Sequence, residues 1–217
     1  MTRFINIIAA GGKGTRFGAS VPKQFCLLKG KPVLHHAMER LARAIPNALT
    51  ILVIDSDWKD MAPSGAIIAS PGRTRRESIK NALNACADYP ADVILVHDGA
   101  RPLPSEDMIR RVAEACTYHQ GAIPVIAVTD SLRRADGSPA NRAEFRAVQT
   151  PQAFRADLLR LAYNQPEREA DTDDASVMNG AGFTDIALVE GDPCNLKITN
   201  PMDLKVAEVY LSSGFEN

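Results

Sequence analysis

"FINIIAAGGKGTRFGASVPKQF", residues 4–25, runs from a short apolar segment into a loop that holds four glycines, two lysines and an arginine between positions 9 and 25. The apolar segment reads as a buried strand, and three glycines within four residues have no use in a hydrophobic core. A loop following the first strand of an open α/β sheet lies at the sheet's carboxyl edge, where such folds bind ligands. Glycine there lets successive backbone N–H groups close on an oxyanion with no side chain in the way. The stretch therefore predicts a phosphate loop. Two familiar versions are excluded: the dinucleotide fingerprint would need a third glycine at Phe17, and no Gly-Lys-Ser/Thr closes the loop. Arg16 and Lys23, seven residues apart, pair a guanidinium that bridges two oxygens with an ammonium point charge, a combination suited to polyphosphate. Whether they only bind it or also act on it stays open at this point.

Strand-like runs at 4–10, 50–54, 66–69, 93–97, 122–128 and 186–189 alternate with helical periodicity over 33–44 and 75–86. Ser105 caps a helix predicted to reach about Tyr118, with Glu106 and Asp107 in its first turn, and Asn200-Pro201 opens a final helix. The alternation predicts an α/β fold, Rossmann-like, with a mostly parallel twisted sheet and helices on both faces. Residues 1–217 suit one domain. From 129 to 148 the chain turns polar and basic, and Asp136-Gly137 is placed for a hairpin turn. A protruding β-hairpin arm within the domain is expected there.

With 25 basic and 26 acidic residues, a formal charge of −1 argues against a nucleic-acid or anionic-membrane surface. No apolar stretch approaches the roughly 18 residues of a membrane span, and the first residues run directly into a strand, so a soluble cytoplasmic protein is expected. Four scattered cysteines form no CxxC, and the four histidines show no HExxH, which argues against a zinc or iron centre.

Five further motifs accompany the loop: "VHDGARP" at 96–102, "VTDSLRRA" at 128–135, "QTPQAF" at 149–154, "TDDAS" at 172–176 and "VEGDPCNLKITNPMDL" at 189–204. In kind and order they resemble the glycosyltransferase-A-like nucleotidyltransferases that activate sugar or polyol phosphates, and within them the cytidylyltransferases with Pro-Lys-Gln after the loop. The set is most similar to the branch acting on 2-C-methyl-D-erythritol 4-phosphate in non-mevalonate isoprenoid synthesis. A branch acting on ribitol 5-phosphate shares the loop, the Pro-Lys-Gln and the Thr-Pro-Gln. A non-catalytic nucleotide-binding protein of the same fold is the reading from another class, and retention of Arg16, Lys23, Asp98 and Lys197 together argues against it.

The resemblance implies attack by an acceptor phosphate on the α-phosphorus of CTP, with Mg²⁺ or another divalent cation. It implies Ala10, Gly11, Gly12 and Gly14 around the triphosphate, Gly72, Arg75 and Ser78 around the base, and Asp98 at the ribose or the metal. Arg73 stands beside Gly72 where some members carry an acid. Arg16, Lys23 and Lys197 are implied as catalytic stabilisers, Asp98 and Asn195 as metal ligands. Arg101, Ser131 and Arg142 are implied at the acceptor, although an ion pair holding the Asp98 loop is the alternative for Arg101. Ser131, where many members carry Thr, and Arg142 would reach a neighbouring site across a homodimer, through the arm. Arg133, Arg134 and Arg146 read as a solvated hairpin face.

Overall fold

The computed structural model describes residues 2–12, 17 and 21–214. Gly14 and Arg16 lie outside the described residues. In chain order the elements are β1 (Phe4–Ala9), β2 (Leu27–Leu28), β3 (Lys31–Pro32), α1 (Val33–Ala44), β4 (Leu49–Val53), β5 (Ile67–Ala69), α2 (Arg75–Ala85), β6 (Val93–Asp98) and α3 (Glu106–Ala115). They continue with β7 (Gly121–Ala127), β8 (Leu132–Arg133), β9 (Pro139–Ala140), β10 (Arg146–Val148), β11 (Gln152–Arg155), α4 (Ala156–Tyr163), α5 (Asp174–Gly180), β12 (Ile186–Glu190) and α6 (Pro201–Ser213).

Eight of these strands form one sheet. β1 lies between β4 and β6, and β5 follows β4, all parallel. β11 returns antiparallel to both β6 and β7, while β12 runs parallel to β7. Gly121 and Ala122 pair with β11 and β12 at once, so those strands flank β7, and β10 continues along the β11 side. The sheet is thus mixed and mostly parallel, as the alternation predicts.

Period-2 alternation divides the core between the two faces. Ile5, Ile7, Ile51, Ile94 and Val96 pack with Ile79 and Leu83 of α2, Leu159 of α4 and Val177 of α5. Ile8, Leu52 and Leu95 pack with Leu34 and Leu41 of α1 and with Ile109 and Val112 of α3. Every residue of β6 is buried, as a central strand covered on both faces requires. A third cluster under α6 joins Phe17, Leu28, Val33, Leu103, Ile198 and Ala207.

Two boundaries differ from expectation. The helix capped by Ser105 ends at Ala115, because the Thr117 hydroxyl donates back to the carbonyl of Glu114 at 2.7 Å and closes the last turn. The arm holds a short hairpin, β8 with β9, turned at Gly137 with φ +86°. Its expected last residues, Arg146–Val148, instead form β10 and pair with β7.

Candidate active site

The carboxyl ends of β1, β4 and β6 open on a cleft of about 900 Å³. Its first wall is the glycine loop. Ala10 donates its N–H to Val53 at 2.9 Å, after which the chain leaves the sheet. The buried Gln24 side chain then donates to the carbonyls of Ala10 at 2.6 Å and Gly12 at 2.8 Å, tying two loop residues to the turn that carries Lys23. Lys23 lines the cleft. A Cβ on Gly11 would sit 2.4 Å from the Pro71 Cβ, whereas one on Gly12 would meet nothing within 4 Å. Gly11 is therefore demanded by close packing against the opposite wall, whereas the space beside Gly12 is open.

That opposite wall is the start of α2. Thr74 caps the helix by accepting from the N–H of Glu77 at 3.0 Å, and Glu77 in turn accepts from the N–H of Arg73 at 2.8 Å. The Ser78 hydroxyl accepts from Gly72 N–H at 2.9 Å and donates to the Thr74 carbonyl at 2.9 Å. Ser78 thus lines the cleft while its hydroxyl shapes the Gly72 turn. A Cβ on Gly72 would come within 2.4 Å of Glu77. The Arg73 side chain projects into solvent.

At the floor, Asp98 ends β6. Ile198 donates its N–H to Ala100 at 2.8 Å, a contact that draws Lys197 alongside. Lys197 Nζ lies 2.8 Å from Asp98 Oδ2, Arg101 Nε lies 3.6 Å from the same oxygen, and Arg75 Nε approaches Oδ1 at 3.8 Å. Burial alone would raise the Asp98 carboxyl, but Lys197 first, then Arg75 and Arg101, outweigh it and hold the group well below the usual carboxylate range. Asp98 is an anion at any working pH.

His97, fully buried, fixes the backbone beneath Asp98. Its Nε2 donates to the Arg101 carbonyl at 3.0 Å, so the neutral ring's Nδ1 accepts from the Thr150 hydroxyl at 3.0 Å. Thr150 Oγ1 then accepts from the N–H of Asp98 at 3.0 Å. Burial pulls the His97 pKa down to about 4, which keeps this proton order through neutral pH.

The expected residues divide. Ala10, Gly11, Gly12, Lys23, Gly72, Arg75, Ser78, Asp98 and Lys197 all line the cleft. Asn195 does not: it is wholly buried, and its amide donates to the Thr150 carbonyl at 2.8 Å. It packs behind the floor, with its Oδ1 buried and without a hydrogen-bond partner among the described residues. Arg101 donates to the Asn195 carbonyl at 2.8 Å, with its Nε 3.6 Å from Asp98 Oδ2. Ser131 and Arg142 lie exposed on the arm, where the Arg142 guanidinium donates to the Thr129 carbonyl.

Residues without an individual role in the sequence reading complete the site. Asp174, completely buried, accepts from Arg75 Nη2 at 2.6 Å and from the Tyr163 hydroxyl at 2.5 Å. Gln149 grips the 192–195 turn, accepting from Asp192 N–H at 3.0 Å and donating to its carbonyl at 2.8 Å. "TDDAS" and "QTPQAF" carried the signal, but only the fold shows which of their side chains turn toward Arg75 and Asp98.

Glycine loop, helix start and a cation-ringed carboxylate at the carboxyl edge define an α/β protein built to hold a phosphorylated ligand. The family model for 2-C-methyl-D-erythritol 4-phosphate cytidylyltransferase matches residues 4–213, and the chain belongs to that family. A 2-C-methyl-D-erythritol 4-phosphate cytidylyltransferase from Bacteroides thetaiotaomicron is 39% identical, over 94% of this chain and 98% of the relative. The crystal structure of the enzyme of that name from Thermus thermophilus superposes with a TM-score of 0.80 at 31% identity, covering 97% of this chain and 99% of the other. The bifunctional IspDF of Campylobacter jejuni gives a TM-score of 0.83 at 29% identity, over 94% of this chain and 54% of that longer one.

Proposed function

We propose that this chain transfers the cytidylyl group of CTP to 2-C-methyl-D-erythritol 4-phosphate, giving 4-diphosphocytidyl-2-C-methyl-D-erythritol and pyrophosphate. The observation that carries the reading is the convergence of the Gly11–Gly12 backbone, Lys23, Asp98 and Lys197 on one cleft in a chain of this family. A phosphate oxygen of the acceptor attacks the α-phosphorus of CTP. The new P–O bond forms as the bond to the β-phosphate oxygen breaks, and pyrophosphate takes the electron pair. The acceptor phosphate is already ionised near pH 7, so no general base is needed.

The protein's contribution is position and charge. Gly11 and Gly12 receive the triphosphate, and Gly14 is assigned to the same task from the sequence resemblance alone. Gly72, Arg75 and Ser78 shape the wall for the base. Lys23 and Lys197, with Arg16, stabilise the crowded α-phosphorus.

Asp98 fits a divalent cation such as Mg²⁺: it is an ionised oxygen donor at the cleft, one lobe held by Lys197 at 2.8 Å and the other beyond hydrogen-bond reach of Arg75. With Asn195 enclosed, the remaining ligands would be substrate phosphates and water. The cation, when bound, neutralises charge on the triphosphate.

The arm supports a homodimer in which Ser131 and Arg142 of one copy grip the acceptor phosphate at the other's cleft. No helix among the described residues is long and apolar enough to cross a membrane, and a cytoplasmic location is part of the same proposal.

The acceptor is tested by competition. With CTP limiting and 2-C-methyl-D-erythritol 4-phosphate and ribitol 5-phosphate at equal concentration, the first is expected to be consumed. Preferential conversion of ribitol 5-phosphate would reassign the acceptor while leaving the transfer chemistry intact.

A further inference from the structure

Arg75 stands between two carboxylates and is shared unequally. Nη2 is 2.6 Å from Asp174 Oδ2, a full charge-assisted hydrogen bond, while Nε stays 3.8 Å from Asp98 Oδ1, too far for one. Asp174 is held in turn. It sits in the first turn of α5, capped by Asp173 through a reciprocal bond with Ser176, and Gln152 ties that turn to β11 by donating to Asp173 and accepting from Ala175 N–H. Its second oxygen accepts from the Tyr163 hydroxyl at 2.5 Å. The pull on Arg75 therefore comes from a fixed, buried point.

We infer that Asp174, locked by Tyr163, is a positioning residue that draws the Arg75 guanidinium away from Asp98 and so keeps the Oδ1 lobe of Asp98 open to a divalent cation carried in with CTP. Left to itself, a guanidinium beside a carboxylate closes a two-bond fork on it and fills the lone pairs a metal would use. Asp174 prevents this by occupying one arm of the fork. Lys197 already holds Oδ2, so Oδ1 is the oxygen at stake. The inference rests on the metal reading of Asp98 given above.

The test compares the affinity of the enzyme for Mn²⁺·CTP, followed by electron paramagnetic resonance, with its affinity for CTP in EDTA, both without acceptor. The ratio isolates the metal's contribution. Asp174→Asn is expected to lower it about tenfold, the usual size of an outer-shell effect on metal binding. Tyr163→Phe should lower it less, in the same direction, and serves if Asp174→Asn unfolds. Arg75→Gln added to Asp174→Asn should restore the ratio to that of Arg75→Gln alone, and a structure of Asp174→Asn should show Arg75 forked on Asp98. Equal losses with and without metal, or no rescue by Arg75→Gln, would overturn the role given to Asp174. A wild-type ratio near one would remove the metal reading itself, and this inference with it.

Discussion

Lys197 Nζ lies 2.8 Å from Oδ2 of Asp98, across 99 residues of sequence, because Ile198 pairs with the carbonyl of Ala100 directly beside the end of β6. The pair makes Asp98 a permanent anion and places a cation at the cleft floor.

Lys197→Met removes the strongest cation at Asp98 and leaves a buried carboxylate with more distant partners. Turnover is expected to fall about 100-fold, as for loss of a group aimed at developing charge. Because Lys197 is partly exposed, the stability loss at pH 7 should be modest, about 1–2 kcal/mol. The sign of its pH dependence follows from a carboxyl whose folded pKa is depressed: the stabilisation is full above the unfolded pKa of about 4 and is lost as pH falls below it. Denaturant titrations at pH 7 and pH 3 should therefore show the gap between wild type and variant narrowing in acid.

The two loop glycines should separate folding from binding. Gly11→Ala drives a methyl into Pro71 and should cost about 1–3 kcal/mol by overpacking. Gly12→Ala meets open space and lies outside the left-handed backbone region, so its melting temperature should match wild type while KM for CTP rises. An unchanged KM in Gly12→Ala would mean that the triphosphate does not lie against the loop.

Lys23→Ala should lower kcat more than it weakens CTP binding, since its charge matters most when the α-phosphorus is crowded. Steady-state kinetics with an independent CTP titration would show this. A change in KM alone would make Lys23 a binding residue.

Arg142→Ala should raise KM for the acceptor and leave CTP affinity near wild type. Sedimentation at assay concentration would check that the assembly state is unchanged. Loss of CTP binding with an unchanged acceptor KM would mean that the arm serves the other substrate.

The fold was largely legible because strand and helix signals were strong where both faces are buried: "VILV" at 93–96 is wholly apolar ahead of His97 and Asp98, and α1 repeats Val33, Leu34, Ala37 and Leu41 at helical spacing. β11 and α4 were harder. Phe154 is its only large apolar residue before a helix that starts without a side-chain cap at Arg155. In the site, Lys23 could be singled out from the glycine loop itself, whereas Asp98 and Lys197 took their expected roles from the resemblance of the later motifs. Asn195 could not be singled out, because an amide serves equally as a ligand or as an internal strut, and it lies wholly buried. Asp174 and Tyr163 were illegible for a related reason: their action on Arg75 depends on α4 and α5 meeting α2 across the sheet face.

The most direct test of the account is the initial rate of pyrophosphate release by the purified protein with CTP, Mg²⁺ and 2-C-methyl-D-erythritol 4-phosphate. The account predicts release that saturates in both substrates and yields one cytidine diphosphate ester per pyrophosphate. No acceptor-dependent release from folded, CTP-binding protein would contradict it.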